Sequence, residues 1–138
     1  MASIRKEVIV DVPPEAVWAA VRDVGALHTR LAVGFVTDCR MEADARIVTF
    51  ANGIVAREQI VDIDDASRRL AWSAAGGRLT HHNASAQVFA EGADGSRLVW
   101  IADLLPHELA PAIESMIGQG VAAIKQTLEA QHLPKCAQ

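Results

Sequence analysis

Between Phe35 and Leu104 the chain breaks into six strand-like segments joined by connectors only a few residues long, and this spacing constrains the fold more than any other feature. The segments are Phe35 to Met41, Arg46 to Phe50, Ile54 to Ile63, Arg69 to Ala75, Leu79 to Ala90 and Arg97 to Leu104. Glu42-Ala43-Asp44, Asn52-Gly53, Asp64-Asp65-Ala66-Ser67, Gly76-Gly77-Arg78 and Gly92-Ala93-Asp94-Gly95 punctuate them with turn chemistry. A parallel crossover needs about a dozen residues, so neighbours this closely joined must run antiparallel. Asn52-Gly53 is the strongest turn signal and predicts a two-residue type I′ hairpin, which needs positive φ at both central positions.

The flanks change period. Ile4 to Val12 alternates and is rich in β-branched residues, which suits another strand. Pro13-Pro14 ends it, and Pro14-Glu15 opens a helix carrying Val17, Trp18, Val21 and Val24, with Gly25 placed to close it. A short helical piece over Ala26 to Leu31 follows. Pro106 breaks the last strand, and His107 to Gln131 returns to a 3.6-residue period. Its apolar stripe runs through Leu109, Ile113, Met116, Ile117, Gly120, Ile124 and Leu128. The predicted order is strand, two helices, six strands, long helix. A seven-stranded antiparallel sheet can bury its apolar face together with that stripe by curling around the helix, which gives an α+β domain with a pocket between the two.

Composition bears on size and setting. A chain of 138 residues is one domain's worth and can bury about two-thirds of its unfolded surface. Cys39 and Cys136 are far apart in sequence, and residues 132–138 are expected to form a flexible tail, so both are expected as free thiols in a reducing, cytoplasmic setting. The N-terminal residues lack the apolar run of a secretory signal, and no apolar stretch approaches the roughly 18 to 20 residues of a membrane span. With a net charge of -4 and scattered Lys and Arg, there is no basic stripe to track nucleic acid. The expected partner is a small apolar molecule, with no nucleic acid, no membrane insertion and a homodimer left open.

The element order resembles the START-like, or Bet v 1-like (SRPBCC), superfamily with its helix-grip fold, and within it the polyketide cyclase/dehydrase and lipid-transport group of small bacterial proteins. Val10-Asp11-Val12-Pro13-Pro14-Glu15-Ala16-Val17-Trp18 leading into Val21-Arg22-Asp23-Val24, Arg57-Glu58-Gln59-Ile60 with Asp64 and Arg69-Leu70, and Val99-Trp100 with Pro106 carry the likeness. It spans residues 1–138 as a single ligand-binding domain. These are fold-level motifs, so the resemblance implies a ligand cavity between sheet and helix, not a reaction.

Which residues would line that cavity depends on which face of each strand turns inward. In Leu79 to Ala90 one face carries His81, Asn83, Ser85, Gln87 and Phe89, and the other His82, Ala84, Ala86, Val88 and Ala90. If the polar face is internal, His81, Asn83 and Ser85 form a hydrogen-bonding ladder; if the apolar face is, the cavity is roomy and His82 sits at its rim. The ordinary logic of antiparallel sheets favours a solvated polar face. Glu58 alternates with Ile54, Ala56 and Ile60, so its carboxylate is expected inside. There it would act as an acid or base, or, the favoured reading, pair with an arginine. Asp103 is expected to cap the long helix.

Trp72 and Trp100 are candidate walls, with Met116 and Gly120 facing them from the helix. Adjacent His81 and His82 point to opposite faces and cannot share an ion, so no metal is expected, and no cofactor. The ligand-binding set is therefore Glu58, Trp72, His81, Asn83, Ser85, Trp100, Met116 and Gly120, with Glu58 and His81 the candidates for catalysis. The expected function is binding or carriage of a small lipid- or polyketide-like molecule. A cyclase or dehydratase working by acid/base catalysis is the alternative, and a stress-related interaction module with an incidental cavity is the third.

Overall fold

The short connectors do force an antiparallel meander. The computed structural model describes residues 2–74 and 76–132. Its strands are β1 (Ala2–Val10), β2 (Val36–Glu42), β3 (Ala45–Phe50), β4 (Val55–Asp64), β5 (Arg69–Ser73), β6 (His81–Glu91) and β7 (Gly95–Leu105), and its helices α1 (Pro14–Arg22) and α2 (Ala110–Gln131). They form one seven-stranded sheet in the order β1-β7-β6-β5-β4-β3-β2. Each neighbour pair after β1 is a hairpin, and β1 closes against β7 with Ala2 opposite Leu104 and Val10 opposite Ser96. Bulges between Val36 and Asp38 and between Ile60 and Asp62 add bend to the sheet.

Several boundaries shift for identifiable reasons. Residues His107–Leu109 form a 3-10 turn, and α2 begins at Ala110 with Pro111 in its first turn, where a missing amide costs nothing. The piece after α1 is a π-helical turn, Leu27–Leu31. Helix α1 stops at Arg22, before Gly25, whose added Cβ would stand 3.1 Å from Met41 Cγ; Gly25 therefore makes room for β2 and is not a cap. Asn52-Gly53 is not a two-residue type I′ turn. The Gly53 amide donates to Phe50 O at 2.9 Å, the Phe50 amide to Ile54 O at 2.8 Å, and Gly53 has φ 90° while Asn52 has no positive φ. This is a three-residue loop closed by a glycine bulge. The tail expected over 132–138 lies, beyond His132, outside the described residues.

Helix α2 lies along β1 and β7 and against the π-helical turn, burying Ile117, Val121, Ile124 and Leu128. Because it is seated toward the β1 side, the inner faces of β3, β4 and β5 are left to bound an internal space. Helix α1 covers one end, with Val17 and Val21 almost fully buried. Trp18 Nε1 donates to Asp65 Oδ1 at 2.8 Å, and Arg22 Nε reaches the same oxygen at 2.8 Å, so the β4–β5 turn holds α1 in place. Charge-assisted hydrogen bonds from both donors hold the Asp65 carboxyl below its ordinary range, Arg22 contributing most.

Candidate functional site

Alternation on each strand selects what faces α2. On β5 the inner residues are Leu70 and Trp72; on β7 they are Leu98, Trp100, Ala102 and Leu104; on β6 they are His82, Ala84, Ala86 and Val88. Of these, Leu70, Trp72, His82, Ala86, Leu98 and Trp100, with Leu79, Phe35 and Phe50 and the α2 residues Met116 and Gly120, line a cavity of about 200 Å³ whose lining is overwhelmingly apolar. Trp72 and Trp100 meet edge to face, centroids 5.7 Å apart at 63°. Gly120 is what lets α2 come so close: a Cβ there would stand 2.8 Å from Trp100 Cζ3. Trp100 Nε1–H is shielded from solvent and has no hydrogen-bond partner among the described residues.

The polar part of the wall is a row running across the strands. Arg46 on β3 stands opposite Glu58 on β4, and Arg46 Nε donates to Glu58 Oε1 at 2.7 Å. Both are buried, at 3% and 8% exposure. The Arg46 guanidinium also reaches Val24 O at 3.4 Å and lies over Trp72, 5.4 Å from its centroid. Gln59 stands opposite Ser73 at the end of the β4–β5 ladder, and Ala74 follows just beyond it. The Ala74 amide then donates to His82 Nδ1 at 3.0 Å, and Ser73 Oγ donates to His82 O at 2.6 Å. Burial pushes the His82 imidazole down from 6.5, against a smaller opposing pull from Glu58. The ring is accordingly neutral at pH 7. Its Nδ1 accepts a hydrogen bond, so its proton sits on Nε2.

Trp72, Trp100, Met116, Gly120 and Glu58 thus come together on one cavity, as their strand and helix periods imply. Glu58 takes the favoured option of an arginine partner. His81, Asn83 and Ser85 do not join them. They lie on the outer face of the sheet, where Asn83 and Ser85 share a shallow groove with Arg5, Arg69 and Arg97, and His81 is exposed at the start of β6. The polar ladder is the solvent side of the strand, and the apolar alternates Ala84 and Ala86 turn inward. Asp103 is a further correction: it accepts from Ser3 Oγ at 2.6 Å across β1 and β7 and caps nothing. Cys39 is buried with its thiol donating to Val24 O at 3.5 Å, and desolvation pushes its pKa up despite the nearby Arg46, which leaves it a poor nucleophile. Cys136 lies outside the described residues.

Sequence reasoning missed Arg46, although a signal existed. Phe50 and Ile54 pair across the glycine loop, and equal steps back along the two strands land on Arg46 and Glu58. His82 was reachable only through the choice of face. No group of three or more His, Cys, Asp and Glu among the described residues is arranged to hold a metal ion, and no described helix is long and apolar enough to cross a membrane.

Comparison with known proteins adds to this geometry. A family model described as polyketide cyclase / dehydrase and lipid transport matches residues 1–129. The fold is similar to that of the protein XoxI from Bacillus cereus, with a TM-score of 0.83 at 18% identity, covering 96% of this chain and 100% of that one. A protein from Thermobifida fusca is 29% identical with a TM-score of 0.70, covering 94% of this chain and 91% of its own. Norcoclaurine synthase from Thalictrum flavum, solved with dopamine and hydroxybenzaldehyde, has a TM-score of 0.72 at 18% identity, covering 96% of this chain and 88% of that one. No curated protein matches the sequence.

Proposed function

The chain belongs to the polyketide cyclase/dehydrase and lipid transport family, and we propose that within it the protein is a reversible binder of a small, ring-shaped, mostly apolar molecule held between the sheet and α2. The observation that carries this reading is the tryptophan-walled cavity of about 200 Å³. An apolar cavity of about 150 Å³ already accepts benzene, and drug-sized sites start near 300 Å³. One or two fused rings therefore suit the space better than a long acyl or polyketide chain. The single-ring compounds bound by the Thalictrum enzyme support the same size class. The buried Trp100 Nε1–H adds a reason for an occupant, because an unanswered buried donor costs about 1–3 kcal/mol.

Binding is favoured over acid/base turnover by the state of the two titratable groups on the wall. Glu58 is committed to Arg46 at 2.7 Å, and the basic lone pair of His82 Nδ1 is committed to the Ala74 amide. An interaction module is disfavoured because the exposed apolar residues in and just before β4 form two small groups, Ile54 with Val55 and Val61 with Ile63, separated by Arg57 and Gln59. A buried, unpaired Cys39 suits a reducing cytoplasmic setting.

The test is a thermal-shift and tryptophan-quenching screen against one- and two-ring aromatic compounds. A ligand at a hundred times its Kd should stabilise the fold by about 2.7 kcal/mol. Absence of any saturable response across such a library would overturn the reading.

A further inference from the structure

Glu58, Ala74 and His82 stand side by side on three adjacent chain segments, with the smallest of the three in the middle. Ala74 contributes only a methyl group between them, so the wall has a notch there, sided by a carboxylate and an imidazole. All three line the cavity.

The two sides present opposite hydrogen-bonding character. Glu58 uses Oε1 on Arg46, and its Oε2 has no partner among the described residues; a paired carboxylate is acceptor-only. His82 receives the Ala74 amide on Nδ1, which leaves Nε2–H as a donor with no partner among the described residues. That Glu58 bears electrostatically on His82 agrees with their closeness. Arg46 and Glu58 neutralise one another, so the notch carries no net charge with which to attract an ion, and a charged ligand would be desolvated for little return.

Resting on the binding reading above, we infer that the notch over Ala74 is a hydroxyl subsite. The ligand is a neutral ring molecule bearing a phenolic or alcoholic OH, which donates to Glu58 Oε2 and accepts from His82 Nε2–H. A hydroxyl is the smallest group that does both at one oxygen. A ketone satisfies only His82, an ammonium only Glu58, and a methyl neither. The subsite fixes which end of the ring faces β4 and β6, with the ring body against Trp72.

Isothermal titration of the full chain with 2-naphthol and with 2-methylnaphthalene tests this, since the pair differs by OH in place of CH3. The expected result is at least tenfold tighter binding of 2-naphthol, with the preference collapsing to under threefold in His82→Phe. Glu58→Gln, which keeps the side-chain size, is the second variant and should also erode the preference should the histidine variant fail to fold. A wild-type preference below threefold, or one retained in the folded variants, overturns the hydroxyl subsite while leaving the cavity reading intact. Binding of neither compound overturns the hydroxyl subsite, and the cavity reading falls with it only when the wider aromatic library also gives no saturable response.

Discussion

Gly120→Ala is the sharpest test of how α2 meets the sheet, because two opposing effects can be weighed for it. In a helix interior, alanine is favoured over glycine by about 1 kcal/mol. Against that, the new methyl would stand 2.8 Å from Trp100 Cζ3 and 3.3 Å from both Trp100 Cη2 and Phe35 Cε2. Carbon atoms prefer about 3.5–4.0 Å, so the indole must retreat by most of an ångström. Forced repacking of this kind costs about 1–3 kcal/mol, so the variant should lose about 1 kcal/mol net. Gly118→Ala is the internal control: two residues earlier on the same helix, its Cβ would meet nothing within 4 Å among the described residues, and it should gain about 0.5–1 kcal/mol. The two alanine variants should therefore differ by about 2 kcal/mol, or about 6–10 °C in Tm for a domain of this size. Urea and thermal melts followed by tryptophan emission measure both. Should Gly120→Ala melt at or above Gly118→Ala, the close approach of helix and indole is not what requires the glycine.

Two further outcomes follow from the polar row. Arg46→Met alone leaves Glu58 buried without its partner and should cost about 3–5 kcal/mol, whereas Arg46→Met with Glu58→Met should recover most of that loss. Urea denaturation of the single and double variants checks it, and a double variant no better than the single one argues against a mutually dependent pair. The His82 imidazole is depressed from 6.5 in the fold, so its contribution to stability is fully present above that value and is lost as pH falls through the depressed pKa. His82→Asn, which keeps an acceptor for the Ala74 amide but cannot titrate, should show a shallower loss of stability between pH 7 and 5. Identical acid slopes in the two proteins would show that this proton is not linked to folding.

The architecture was legible because it rests on local rules. Short connectors allow only antiparallel neighbours, and the apolar stripe of a 22-residue helix has to lie on the sheet they make. Met116 and Gly120 followed from the helical period, while Trp72 and Trp100 were legible as walls from their large apolar rings. The choice of face on β6 was less legible. Ala84 and Ala86 are too small to declare themselves as core, and His81, Asn83 and Ser85 present the mixed polarity that a binding wall also has. Burial of Val99 and Ser85 on the outer side, beneath long arginine side chains, blurs the contrast further. The turn at Asn52-Gly53 shows a different limit. Its dipeptide serves both a two-residue turn and a glycine bulge, and only the hydrogen bonds distinguish them. That same turn sets the register pairing Arg46 with Glu58, so the charged pair becomes readable once the turn's centre is fixed.

The closure of β1 on β7 also bears on how the molecule assembles. Ala2 pairs with Leu104, while every other strand pairs with one adjacent to it in sequence. During synthesis the meander can zip hairpin by hairpin as it leaves the ribosome, but the first strand made has no edge to join until the last one emerges. Long-range pairing of this kind raises contact order and slows folding. It also leaves an alternating β-branched segment unpaired for the longest time, which makes β1 the place where a nascent chain is most exposed to pairing with a neighbour.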